Sequence, residues 1–199
     1  MIHSIQQEIE NKIKSLKRGS ILFPSTFDDL GNVEVIKKSL LRLTNKKFLV
    51  RLAHGIYLYP KQDPVLGNLY PTIEDVAAAI ADRDKARIIP TGTTALNKLG
   101  LSTQVPMNIV FLTDGASRSI VVGKRTIKFK RTTPKNLAVK GKVSSLVVQA
   151  LKEIGKDNAT DEQLKLIRKH LRFEKRENLQ HDAKLAPAWI AKIIKSIIQ

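Results

Sequence analysis

The sequence predicts an α+β protein: an N-terminal winged helix-turn-helix, then a mixed α/β domain that carries a basic β-hairpin and ends in helices. Three observations predict it. Apolar residues recur at helical spacing up to Lys46 and at strand spacing from Phe48 to Tyr59. Strand-like and helix-like segments then alternate as far as Lys130. From Ser145 onward only helical periods remain. The proline-bearing stretch Pro60–Pro64 reads as a loop and linker, giving domains 1–64 and 65–199, the second with a helical tail from about residue 156.

The elements follow in order. Ile2, Ile5, Ile9, Ile13 and Leu16 make one face of a helix that ends at Lys17-Arg18-Gly19. Ser20–Pro24 is a short extended piece, and Ser25 can cap a brief helix from Thr26 to Leu30. Asn32 suits the N-cap of a longer helix, Val33 to about Lys46, with a core stripe of Val33, Ile36, Leu40 and Leu43. Phe48–Ala53 and Ile56–Tyr59 flank His54-Gly55 as a hairpin, the glycine supplying a positive φ. Thr72 caps a helix bearing Ile73, Val76, Ala77 and Ile80, and Arg87–Pro90 is a short strand. A helix opens at Thr93 or Thr94 and stops at Gly100; Asn108–Thr113 is a buried-looking strand. Ser119–Val122 and Thr126–Lys130 form a second hairpin around Gly123-Lys124. Three helices finish the chain: Ser145–Gly155, one opened by the capping box of Thr160 and Gln163, and one following Pro187 with Trp189, Ile190, Ile193, Ile194 and Ile197 on a face.

Composition narrows the function classes. The 199 residues include 35 Lys or Arg against 18 Asp or Glu, a net charge of +17. Such an excess repels itself unless a polyanion offsets it, and nucleic acid is the commonest. Cysteine is absent, which excludes a disulfide framework, thiolate metal sites and cysteine nucleophiles. No stretch approaches the roughly 20 apolar residues that span a bilayer. The N-terminus lacks a basic-then-apolar leader, so the expected address is the cytoplasm, with no membrane partner. The last helix combines an Ile/Trp face with Lys184, Lys192 and Lys195, a pattern that also occurs in membrane-surface helices; packing on the preceding domain is the plainer fate.

Two basic features are candidate binding surfaces. In a winged helix-turn-helix the second long helix enters the major groove and the hairpin approaches the backbone. On that helix Lys37, Lys38, Arg42, Asn45 and Lys46 lie away from the core stripe. Arg42 can bridge the two acceptors of a guanine, and Asn45 those of an adenine. Lys37, Lys38, Lys46 and Lys47 suit phosphates, because an ammonium acts as a point charge. Arg51, His54 and Gly55 mark the hairpin. The second feature runs from Gly115 to Lys142, with nine Lys or Arg and no acid. Within it Arg118, Lys124, Arg125, Lys128, Lys130 and Arg131 form a basic surface, Lys128 and Lys130 alternating with apolar Ile127 and Phe129. Either feature could instead be a solvated face or a dock for an acidic protein.

Catalytic patterns are weak. No phosphate-cradling G-x-x-x-x-G-K-[ST] loop and no G-x-S-x-G elbow is present. His3, His54, His170 and His181 are scattered, so neither metal nor cofactor is expected. Asp82-Arg83-Asp84-Lys85 is the one compact acid–base group, a remote candidate for a metal-dependent nuclease and more simply a solvated helix end. The expectation is a non-enzyme.

The segments Lys38–Leu43 and Val50–Tyr57 resemble the AbiEi-like antitoxin regulators of bacterial abortive-infection, type IV toxin–antitoxin, systems. Pro90-Thr91-Gly92, Leu99–Pro106, Leu112–Gly115 and Arg131–Pro134 look like the body of a related bacterial family with the same winged start. The resemblance covers roughly residues 1–155. It implies a winged helix that binds and represses the operon's own promoter as double-stranded DNA, with Arg42, Arg51 and Gly55 the positions that carry over. It further implies a C-terminal domain that assists DNA binding through positive surface and counteracts a nucleotidyltransferase-like toxin. The alternative function is a protein-interaction module that neutralises an acidic partner without reading DNA. The oligomeric state is left open.

Overall fold

A computed structural model describes residues 4–198; the expected contributions of Ile2 and His3 lie outside them. The chain is α+β and divides into two units. The first runs to Ala79 and takes in Val121–Gly123; the second comprises Ile80–Ile120 and the chain from Lys124.

In the first unit, Ser4 opens α1 (Ile5–Ser15) by accepting the Gln7 N–H, and Ile9 and Ile13 are fully buried on its inner face. β1 (Ile21–Leu22) follows. The brief helix expected at Thr26 begins earlier, as a 3₁₀ turn over Pro24–Phe27. Proline's fixed φ starts it, and Thr26 Oγ1 accepts the Phe23 N–H at 3.2 Å rather than Ser25 capping. Asn32 caps α2 (Val33–Asn45), its Oδ1 accepting the Val35 N–H at 2.9 Å. The core stripe of α2 is Ile36, Ser39, Leu40 and Leu43; Val33, expected inside, is 50% exposed, because the first helical residue overhangs the end of the packed face.

β2 (Val50–Ala53) and β3 (Ile56–Leu58) form the expected hairpin, and β1 pairs antiparallel with β3, giving the order β1-β3-β2. A bulge at Leu52 breaks the register between Arg51 and Ala53. Leu22, Phe27, Leu49, Tyr57 and Tyr59 complete this core with the inner faces of α1 and α2. The loop expected at Lys61–Pro64 is instead half of a two-stranded hairpin, β4 (Lys61–Asp63) and β5 (Gly67–Leu69). Asp63 Oδ1 accepts the N–H groups of Val65 and Leu66, each at 2.9 Å, and Gly67 takes φ +72°, so the turn closes without an apolar pattern to announce it. α3 (Ile73–Arg83), whose residues from Ile80 on belong to the second unit, starts at a capping box in which Thr72 and Asp75 satisfy each other's backbone N–H.

In the second unit a four-stranded sheet has the order β6-β7-β9-β8, formed by β6 (Ile88–Pro90), β7 (Asn108–Thr113), β8 (Arg118–Val122) and β9 (Arg125–Arg131). β6 and β7 are antiparallel, β7 and β9 parallel. Ile109, Phe111, Ile127 and Phe129 bury one face of its centre, and the rings of Phe111 and Phe129 stack at 6.1 Å. α4 (Thr93–Lys98) ends before Gly100, which has φ +67°. The short α5 (Pro134–Leu137) was not expected, and α6 (Lys142–Ile154) begins three residues before the predicted start. α7 (Asp161–Leu171) has the predicted Thr160–Gln163 box. α8 (Arg176–Leu185) is an additional helix; α9 (Ala188–Ile198) packs Ile190 and Ile194 into a core shared with Val147, Leu151, Ile167, Leu171 and Leu179.

The start of α6 explains two of these differences. Its first turn is capped from a distance. Asp182, fully buried on α8, accepts the N–H groups of Lys140 and Gly141 at 2.9 Å each, the Ser144 hydroxyl, and a hydrogen bond from His181 Nδ1. Glu174 accepts the Val143 N–H at 2.9 Å. Carboxylates at a helix N-terminus are stabilising, and here they come from 31 to 42 residues away. Among the described residues no helix is long and apolar enough to cross a membrane.

Candidate nucleic-acid interface

α2 presents its polar side outward. Lys38, Arg42, Asn45, Lys46 and Lys47 are exposed. Lys37 is also exposed but pairs with Glu34 at 3.1 Å, one turn away. The Arg42 guanidinium is only loosely held, Nη1 donating to Gln6 Oε1 at 3.5 Å. Lys38, Lys46 and Lys47 have no ion-pair partner among the described residues. The helix ends in a Schellman motif, Phe48 N–H to Leu43 O at 3.0 Å and Lys47 N–H to Thr44 O at 2.9 Å. The left-handed position, normally glycine, is held by Lys47 at φ +58°. A lysine there costs about 1 kcal/mol of backbone strain.

At the β2–β3 turn, Gly55 has φ +68° and open space where a Cβ would lie, so the backbone angle, not crowding, calls for glycine. Arg51 folds back over the turn, Nε donating to Ala53 O at 3.4 Å and Nη2 lying 3.1 Å from His54 Nδ1. Arg51, His54 and Gly55 are therefore brought together, as the sequence proposes.

In the second unit Lys128 and Lys130 are exposed on β9 while Ile127 and Phe129 are buried, matching the predicted alternation. Lys124 and Arg131 are exposed and Arg125 is half-buried. Arg118 stands apart from these. Its guanidinium binds the Asp84 carboxylate and lies 5.4 Å from the Phe129 ring centroid, on the covered face of the sheet. Asp84 also accepts from Arg83 Nε at 2.8 Å. Burial, reinforced by the nearby Arg83, presses the Arg118 pKa below the ordinary arginine value. Arg118 thus ties β8 to the Asp84 carboxylate, so Asp84, the nuclease candidate with Asp82, is spent on an ion pair within the second unit. Among the described residues no three His, Asp or Glu side chains are grouped to hold a metal ion.

One basic cluster has no counterpart in the sequence reading. Lys17, Arg18, Lys61 and Gln62 line a cleft of about 390 Å³. Its two halves are over 40 residues apart in sequence, and no local pattern links them.

Fold and surface together define an α+β protein of two units whose outward cations are largely unpaired. Residues 8–179 match the model of a family of unknown function, DUF6088, and the chain belongs to that family. No curated protein matches the sequence.

Proposed function

We propose that the first unit is a winged helix-turn-helix that reads double-stranded DNA, and that the protein is a non-enzymatic transcriptional regulator. The observation that carries the reading is the outward face of α2: Lys38, Arg42, Asn45 and Lys46, exposed and without acidic partners among the described residues, on the helix that leads directly into the Arg51–His54 hairpin. The order α1, β1, turn, α2, β2, β3 supports it, since a winged helix needs that sequence of elements. Arg42 is the base reader, and the flanking lysines position the helix on phosphates. Lys124, Lys128, Lys130 and Arg131 add a second cationic surface for the backbone.

The resemblance to AbiEi-like regulators extends the proposal: the protein represses its own operon and acts as the antitoxin of a nucleotidyltransferase-like toxin in the cytoplasm. A reporter driven by the gene's own upstream region tests the first half. The intact protein lowers reporter output, and Arg42→Ala restores most of it. Repression that is absent, or indifferent to Arg42, overturns the assignment. Co-expression with the neighbouring reading frame tests the second half: rescue of growth supports an antitoxin. Rescue that survives loss of DNA binding makes the protein a protein-neutralising module.

A further inference from the structure

The cleft between Lys17 and Lys61 is built rather than incidental. Gly19 N–H donates to Tyr59 O at 2.7 Å and Tyr59 N–H to Ser20 O at 2.9 Å, which fixes the turn after α1 to the end of β3. Ser20 Oγ closes the same turn by donating to Lys17 O at 2.6 Å. Arg18 is clamped twice: Nη1 donates to Pro60 O at 3.2 Å, and the guanidinium carbon lies 4.9 Å from the Tyr59 ring centroid. Across the cleft, Lys61 and Gln62 are held by strand pairing to Leu69 and Asn68. The lining residues bring three positive charges and an amide to one concavity with no carboxylate among them. The next acid along the chain, Asp63, spends its carboxylate on the Val65 and Leu66 N–H groups. Neither lysine has an ion-pair partner among the described residues.

Like charges held together without an anion are unfavourable, and a tetrahedral oxyanion relieves this best. Guanidinium, ammonium and amide N–H groups all donate to such an oxyanion. The position in the fold indicates which anion. Pro60 is five positions beyond Gly55, so along the extended chain the cleft lies about 17 Å from the β2–β3 turn at roughly 3.3 Å per residue. That is about half a turn of duplex DNA. We propose that Lys17, Arg18, Lys61 and Gln62 form a phosphate site that grips the DNA backbone about half a helical turn from the hairpin tip. The proposal rests on the DNA-binding reading of the first unit.

The test uses the full-length protein and a Lys17→Gln/Lys61→Gln variant, whose altered side chains are exposed and leave the fold intact. Fluorescence anisotropy follows binding to the gene's upstream duplex and to a shuffled duplex across a salt series. The variant is expected to weaken on both duplexes by the same factor, roughly fivefold, and to lose about 0.9 from the slope of log K against log salt, as for one phosphate contact. Unchanged affinity and slope overturn the proposal. In parallel, inorganic phosphate is titrated against the ¹⁵Nε signal of Arg18. A shift there without any change in the DNA slope makes the cleft a free-anion site and overturns the DNA assignment. If the unmodified protein shows no preference for its upstream duplex, the regulator reading fails, but the slope on shuffled DNA still decides the cleft.

Discussion

Single side chains carry three distinct loads in this protein. Arg42 has little to hold it in place besides a 3.5 Å contact, so its guanidinium is available to a base. Arg42→Ala is expected to cost about 1–3 kcal/mol of binding and to relax discrimination at one base pair, read by competition with single-substitution duplexes. Equal losses across all duplexes would make it a phosphate contact. Lys47 carries backbone strain. Lys47→Gly is expected to stabilise the fold by up to about 1 kcal/mol in denaturant unfolding while weakening DNA binding; loss of stability would contradict the strain. Asp182 carries the second unit. Burial acts to raise its pKa, but the hydrogen bonds from His181, Ser144 and the Lys140 and Gly141 N–H groups outweigh burial and hold it below the usual carboxylate value. Glu174 is lowered in the same way, burial being overcome by Asn178 and backbone donors. Depressed folded-state pKa values add stability that is fully present above the unfolded carboxylate value of about 4 and is lost as pH falls through the folded values. Asp182→Asn is expected to cost about 3 kcal/mol near neutrality and to flatten the acid limb of a stability-versus-pH curve. An unaltered acid limb would remove Asp182 from that role.

At the scale of elements, the sequence is most legible where one physical signal acts alone. α1, α2 and α7 have caps three residues ahead of the bonded N–H, and β7 has an apolar run of strand length; their positions follow directly. α8 is opaque because its core positions include Asp182 beside Leu179 and Ala183, which erases the apolar stripe. The start of α6 is opaque for the complementary reason: its capping groups lie on another helix. β4 and β5 are opaque because β4 is wholly polar and the apolar Val65 and Leu66 sit exposed in the turn that Asp63 and a positive-φ glycine close, so no strand-period pattern marks them. The exposure of the α2 cations and the meeting of Arg51, His54 and Gly55 at the β2–β3 turn are legible in the sequence, because charge and period coincide there within 20 residues. Arg118 looked like its basic neighbours, since only the tertiary fold brings Asp84 and Phe129 to it. The β9 face gives a prediction of its own. Lys128→Glu with Lys130→Glu should weaken binding to all DNA sequences alike and leave thermal stability unchanged, because both side chains are exposed. Loss of toxin neutralisation with DNA binding intact would make this strand a protein dock.

Across the whole molecule, the net charge of +17 is a property of both units. α2, the β2–β3 hairpin and the Lys17–Lys61 cleft hold cations in the first; β9 holds them in the second. Most have no acid against them, whereas Arg118 and Lys37 are neutralised within the fold. A surface of this kind binds any duplex at low salt through phosphates alone, so affinity by itself does not distinguish a regulator from a basic protein. Specificity does. The most direct measurement is fluorescence anisotropy with the gene's own upstream duplex and a shuffled duplex of equal length, from low to near-physiological salt. If α2 reads this DNA, the two converge at low salt and separate as salt rises, the upstream duplex keeping an advantage of about a thousandfold, as specific binders do. Two curves that fall together at every salt concentration would contradict that reading, leaving α2 a basic helix that does not read this DNA.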